Sequence, residues 1–174
     1  MADTHLFLGG ARSGKSRLAQ DAAEAAAGEN GALLFVATAH AGDAEMAARI
    51  ARHRADRGPR WRTVECPLAL PDAIRAADGA VVLVDCLTLW LSNLMLGGHE
   101  VEAAGAALAA AMAEIGVGAG PPLFLVSNEV GMGLVPETPL GRRFRDAAGR
   151  LNQRVAAAAT RVTFVAAGLP LALK

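Results

Sequence analysis

Short apolar runs alternate along the chain with longer stretches of helix formers. The runs 4–8, 32–37, 80–85 and 123–127 are continuously apolar or nearly so, the pattern of strands buried on both faces of a sheet. Residues 161–167 form a later strand, and 169–173 an edge pairing. Residues 60–65 alternate only weakly. Between these lie helical patterns over 17–27, 44 to about 56, 71–77, 100–115 and 140–159. In the last of them Phe144, Ala148, Leu151 and Val155 fall on one face. Asp43 caps the second helix and Gly58-Pro59 ends it; Gly28 to Gly31 is a turn and 116–122 a glycine-proline linker. The longest apolar region, 80–96, is interrupted by Asp85, Thr88, Ser92 and Asn93, so it predicts a buried strand followed by a helix, not a membrane span. Strand–helix alternation of this kind predicts an α/β domain with a mostly parallel sheet covered by helices on both faces.

Composition sharpens this picture. The 174 residues suffice for one well-filled domain, residues 1–174, and are few for two. Lys plus Arg and Asp plus Glu both total 17, which gives no support to nucleic acid as a partner. Apolar residues reach 53%, which leaves scope for a buried subunit interface. Cys66 and Cys86 have no metal-ligand spacing, and no secretory leader is visible. They read as reduced thiols of a cytoplasmic protein.

The chemistry begins immediately after the first strand. Gly9-Gly10-Ala11-Arg12-Ser13-Gly14-Lys15-Ser16 matches Gly-x-x-x-x-Gly-Lys-Ser, and its setting between a strand and a helix makes it a phosphate loop. Its glycines let backbone N–H groups close around an anion at a helix N-terminus. Lys15 supplies a point charge to the β- and γ-phosphates, and the Ser16 hydroxyl a ligand for Mg²⁺. The chain is therefore expected to bind a nucleoside triphosphate.

Asp85 closes the strongest strand. It reads as the carboxylate that holds Mg²⁺ opposite Ser16, or as a cap of the next helix; the need of a phosphate loop for such a partner favours the metal. Thr38 lies at the carboxyl end of the second strand, where ligands of open α/β sheets collect. Met46, Ile50, His53 and Arg57 follow at helical spacing, which by itself suggests a partly buried structural histidine. The surrounding Arg49, Arg52, Arg54, Arg57, Arg60 and Arg62 change that reading. Positive neighbours keep an imidazole neutral and nucleophilic, and they can hold an anionic substrate against it. His5 and His99 have no comparable setting, and His40 is the only other histidine near a strand end of this kind. A GTP-driven switch is disfavoured, since no Asn is followed by Lys as guanine recognition by Asn-Lys-x-Asp requires.

Taken together, several blocks resemble one family. They are the phosphate loop, Ala37-Thr38-Ala39, 43–50, His53-Arg54, 61–65, Asn128-Glu129-Val130-Gly131-Met132-Gly133-Leu134-Val135-Pro136, 144–146 and 149–154. The chain resembles the bifunctional adenosylcobinamide kinase and adenosylcobinamide-phosphate guanylyltransferases of cobalamin biosynthesis, over nearly its whole length. The resemblance implies a RecA-like phosphate-loop fold, a homotrimer, and two reactions using ATP or GTP with Mg²⁺. In the first, a triphosphate phosphorylates adenosylcobinamide. In the second, GTP guanylylates a histidine, and the cobinamide phosphate takes up the GMP to give adenosyl-GDP-cobinamide. His53 matches that histidine; Arg52 stands where some relatives have a second one. Nucleotide contacts are implied at Gly9 to Ser16, at Ala37, Thr38 and Ala39, at Arg54, Ala55, Asp56 and Arg57, and at Glu65 and Asp85; Glu65 would hydrogen-bond the guanine edge or the ribose, although its sequence setting reads equally as a solvent-facing strand residue. The runner-up is a small-molecule kinase without guanylyl transfer. Intrinsic chemistry assigns no role to Glu129.

Overall fold

Alternating side chains of the strands pack against helices on opposite faces of one sheet. The computed structural model describes residues 3–39, 58–117 and 120–174. Their elements are β1 (Thr4–Gly9), α1 (Lys15–Ala27), β2 (Leu33–Ala37), β3 (Trp61–Glu65), α2 (Leu70–Arg75), β4 (Val81–Asp85), α3 (Leu87–Leu96), α4 (Val101–Val117), β5 (Leu123–Asn128), α5 (Pro139–Ala158), β6 (Arg161–Ala166) and β7 (Leu169–Ala172). The expected helix from 44 to about 56 lies outside the described residues.

The sheet order is β3-β2-β4-β5-β1-β6-β7. All pairings are parallel except that of β6 with β7, which is antiparallel. This is a phosphate-loop α/β fold. A single strand, β5, separates loop-bearing β1 from β4 with its terminal Asp85, the RecA-like arrangement. On one face Leu6, Leu34, Val36, Val82, Val84 and Leu125 meet Leu70, Ile74, Trp90, Leu91, Met112, Leu151 and Val155 from α2 to α5. On the other, Phe7, Phe35, Leu83, Phe124 and Val126 meet Ala19 and Ala23 of α1. The two alanines have no exposed surface, so α1 lies close against the sheet and its amino end is fixed beside β1. Edge strand β3 is pinned to the same helix by Trp61 Nε1–H, which donates to Glu24 Oε1 at 2.9 Å.

The long helix forms as its pattern predicts. Thr138 accepts a capping hydrogen bond from Gly141 N–H and Pro139 opens the first turn. Ala148, Leu151 and Val155 are buried, with Phe144 packed beside them. α4 runs two residues past the expected end at Ile115, because the established helix overrides the poor propensity of Gly116. Among the described residues no helix is long and apolar enough to cross a membrane. Both cysteines are buried free thiols.

Burial also gives β1 an acid-sensitive residue. His5 stacks on Phe7 with ring centroids 4.1 Å apart, and its Nε2 lies 2.8 Å from Thr163 Oγ1. Its buried Nδ1 has no partner among the described residues. Burial, reinforced by the Arg161 charge and opposed by Asp3, pushes the imidazole down to about 4 from 6.5. Between those two pH values the unfolded chain binds a proton that the native one refuses. Stability is thus fully present above 6.5 and falls as pH drops from there towards 4, by up to about 1.4 kcal/mol per pH unit. His5→Gln removes this titration. Thermal melts between pH 7 and 4.5 should show a shallower decline for the variant than for the parent; parallel declines would mean that His5 does not titrate as its surroundings dictate.

Candidate active site

The phosphate loop leaves β1 where backbones crowd together. A Cβ on Gly9 would lie 2.4 Å from Val165 O of neighbouring β6. Gly14, the N-cap of α1, has φ +95°, a conformation that favours glycine. α1 carries no acidic residue in its first turn, so its positive end faces no carboxylate of its own. Lys15 is buried at 6% exposure, and its Nζ donates to Gly10 O at 2.9 Å, folding the side chain back across the loop. Ser13 is nearly as buried, yet its Oγ has no hydrogen-bond partner among the described residues. A buried hydroxyl without a partner is costly, and it fits a loop shaped to receive polar ligand atoms.

Asp85, Ala37 and Glu65 lie in one row along the carboxyl edge: Ala37 is in register with Glu65 of β3 on one side and Asp85 of β4 on the other. Asp85 pairs with Val126, and Val126 with Phe7 of β1. Two strand spacings, about 10 Å, therefore separate the Asp85 backbone from the loop-bearing strand. The N-cap of α3 is Cys86, whose own side chain makes no capping hydrogen bond. Glu65 is exposed at the outer end of the row.

Thr38 supports the edge. It has no exposed surface; its Oγ1–H donates to Cys86 O at 2.7 Å, and Cys86 N–H donates back to Oγ1 at 2.8 Å. Asn93 Nδ2 donates to Thr38 O at 2.8 Å and to Pro67 O at 3.1 Å. These bonds tie together the exits of β2, β3 and β4. Ala37 is buried and Ala39 half-buried beside them.

A second set of bonds fixes the loop after β5. Asn128 N–H donates to Thr88 Oγ1 at 2.7 Å, and Ser127 Oγ–H donates to Asn152 Oδ1 at 2.6 Å. Asn152 Nδ2 donates in turn to Asn128 O at 3.3 Å. Glu129 N–H donates to Gly9 O at 3.0 Å, bringing this loop against the start of the phosphate loop, and the Glu129 carboxylate accepts from Gly131 N–H. Beyond it, Met132, Leu134 and Val135 stand in solvent. Thr88, Asn93 and Asn152 were not singled out as site residues by their sequence. The available signal was a polar residue on an otherwise apolar helix face.

Neither thiol is activated by its surroundings. Burial raises Cys66, and burial together with the nearby Asp85 charge raises Cys86, so both stay protonated at neutral pH. His5 lies at the amino-terminal half of β1, four residues and about 13 Å from Gly9 along the strand. His99 follows α3, a helix about 15 Å long that starts at the carboxyl edge and runs back from it. His40 and His53, with Arg54, Ala55, Asp56 and Arg57, lie outside the described residues.

As for a metal, Ser16 and Asp85 offer a hydroxyl and a carboxylate, hard oxygen donors of the kind Mg²⁺ takes in small number beside phosphate oxygens and water. Among the described residues no group of three or more His, Cys, Asp or Glu is gathered as an all-protein cage.

Residues 5–173 match the family model described as cobinamide kinase / cobinamide phosphate guanyltransferase. A bifunctional adenosylcobalamin biosynthesis protein, CobP, of Pseudomonas aeruginosa is 50% identical over 174 residues, spanning 97% of this chain and 96% of the relative. Bifunctional adenosylcobalamin biosynthesis proteins named CobU, from Escherichia coli and Salmonella typhimurium, are 42% and 40% identical over 190 residues, each covering 97% of this chain and 98% of the relative.

Proposed function

The chain belongs to the cobinamide kinase / cobinamide phosphate guanyltransferase family, and from that premise we propose that it carries out both reactions on one nucleotide-binding domain spanning residues 1–174. It phosphorylates the hydroxyl of adenosylcobinamide from ATP or GTP. It then moves GMP from GTP through His53 to the cobinamide phosphate, giving adenosyl-GDP-cobinamide. The observation that carries this reading is the phosphate loop itself, with Lys15 buried beneath it and a buried Ser13 hydroxyl within it that has no partner among the described residues.

In the kinase step the substrate oxygen bonds to the γ-phosphorus, the bond to the β-phosphate oxygen breaks, the nucleoside diphosphate leaves, and the hydroxyl proton passes to water. Such transfers need mainly positioning and charge stabilisation. Lys15 and the loop N–H groups of Gly9 to Ser16 hold the triphosphate, while Ala37, Thr38 and Ala39 shape the neighbouring edge. Ser16 and Asp85 would hold Mg²⁺, which neutralises charge on the phosphates when bound.

The second step attacks a different atom. A neutral His53 nitrogen bonds to the α-phosphorus and pyrophosphate leaves; a phosphate oxygen of the cobinamide phosphate then displaces the histidine, and GMP is transferred. Splitting one displacement into two is nucleophilic catalysis. The placement of His5 and His99 away from the carboxyl edge and the protonated state of both thiols support a histidine from 40–57. Arg54 and Arg57 neutralise phosphate charge at the His53 nucleophile, with Ala55 and Asp56 among the nucleotide contacts, and Glu65 binds guanine or ribose.

The enzyme acts as a cytoplasmic homotrimer. The buried free thiols suit a reducing compartment. Edge strand β7, with Leu169, Leu171 and Leu173 exposed, supplies apolar surface for subunit contact. Sequential incubation with adenosylcobinamide and ATP, then GTP, tests the function: mass spectrometry should find first the phosphate and then adenosyl-GDP-cobinamide.

Asp85→Asn keeps the shape and removes the charge facing Mg²⁺. Turnover should fall roughly a hundredfold, about 3 kcal/mol, with a higher Mg²⁺ requirement and an unchanged melting temperature. Superimposable Mg²⁺ titrations of variant and parent would reject the metal role.

A further inference from the structure

The phosphate loop is held from behind by the last hairpin of the chain. Between β6 and β7, Ala167 and Gly168 have φ 52° and 79°, the two left-handed central residues of a tight hairpin turn. Because β6 runs parallel to β1, that turn emerges beside the loop. Gly168 N–H donates to Ser13 O at 2.8 Å. A Cβ on Gly14 would lie 3.2 Å from Gly168 Cα, so the two backbones are in close contact.

This contact fixes a peptide plane. In a trans peptide the C=O of one residue and the N–H of the next point in opposite directions. Ser13 O bonded to the hairpin therefore turns the Gly14 N–H away from it. Glycine accepts either orientation of such a plane with little steric penalty, so Gly14 cannot set the direction by itself. A hydrogen bond from outside the loop can do so.

We propose that Gly168 is a positioning residue: its N–H holds the Ser13 carbonyl, and the Gly14 N–H is thereby aimed at the phosphates of the bound nucleotide. This rests on the reading of Gly9 to Ser16 as the phosphate site. The N–H-to-phosphate bond it secures is charge-assisted and directional.

The test compares GTP with guanosine, which has the same base and ribose and no phosphate. Gly168→Val places a β-branched residue at φ 79°, which it resists, and so moves the turn. GTP affinity should fall about tenfold or more while guanosine affinity stays at the parental value. Gly168→Asn, whose side chain tolerates positive φ, should restore GTP binding to near the parental level. If Gly168→Val gives no cooperative melt, Gly168→Ala replaces it. Its Cβ meets nothing within 4 Å, so only the backbone angle opposes it, and it should show a smaller loss confined to GTP. Parental GTP affinity in the folded variant, or an equal loss of GTP and guanosine affinity, overturns the proposal. Lys15→Ala, measured alongside, separates the two claims. If it binds GTP like the parent, the phosphate-site reading itself fails and this proposal falls with it. If it loses GTP while Gly168→Val does not, only the role of Gly168 is rejected.

Discussion

Lys15→Ala is expected to abolish both activities. Lys15 is 6% exposed and already placed across the loop by its bond to Gly10 O, so its charge acts where water screens it poorly. Removing a buried charge-assisted contact to phosphate corresponds to about 3–4 kcal/mol, or several hundredfold in triphosphate affinity or turnover. Both reactions begin from a nucleotide on the same loop, so kinase and guanylyl transfer should fail together. Isothermal titration with GTP and with ATP, beside single-turnover assays, checks this. A melting temperature near the parental value would separate lost binding from lost folding, and full kinase turnover would place the donor elsewhere.

The second large effect separates the two reactions. His53→Ala should eliminate guanylyl transfer, by about 10⁴-fold or more, because no group remains to accept GMP. Nucleotide binding should persist, since it depends on the loop, and phosphorylation of adenosylcobinamide should continue. Adduct formation in the parent should decline at acid pH as the imidazole is protonated and loses its nucleophilic lone pair. Product assays of both steps on the same variant give the split. Loss of GTP binding together with kinase activity would instead make His53 a structural residue of a packed helix.

Much of this was legible in the sequence because it rests on local signals. Continuous apolar runs specified the buried strands; 33–37 and 81–84 are buried on both faces as those runs require. The phosphate loop is legible because its glycines answer local demands, such as the left-handed φ of Gly14 and the close approach of Val165 O to Gly9. The scaffold of the carboxyl edge was less accessible. Thr38 reads as a ligand-edge residue, but that its hydroxyl is engaged by both backbone groups of Cys86, 48 residues away, depends on the pairing of β2 with β4. Asn93 and Asn152 were hidden for the same reason: their roles depend on which strand ends each helix meets. The bond from Gly168 to Ser13 joins the two ends of the chain, and no spacing rule connects residues so far apart.

In the proposed mechanism one chain carries phosphoryl transfer on the phosphate loop and covalent guanylyl transfer on His53. Intact-mass spectrometry of the purified protein after incubation with GTP and Mg²⁺ tests it most directly. A mass increase of one guanylyl group is expected in the parent, discharged on addition of adenosylcobinamide phosphate and absent from His53→Ala. An unmodified parent under conditions where adenosyl-GDP-cobinamide still forms, or an adduct that survives in His53→Ala, would contradict it.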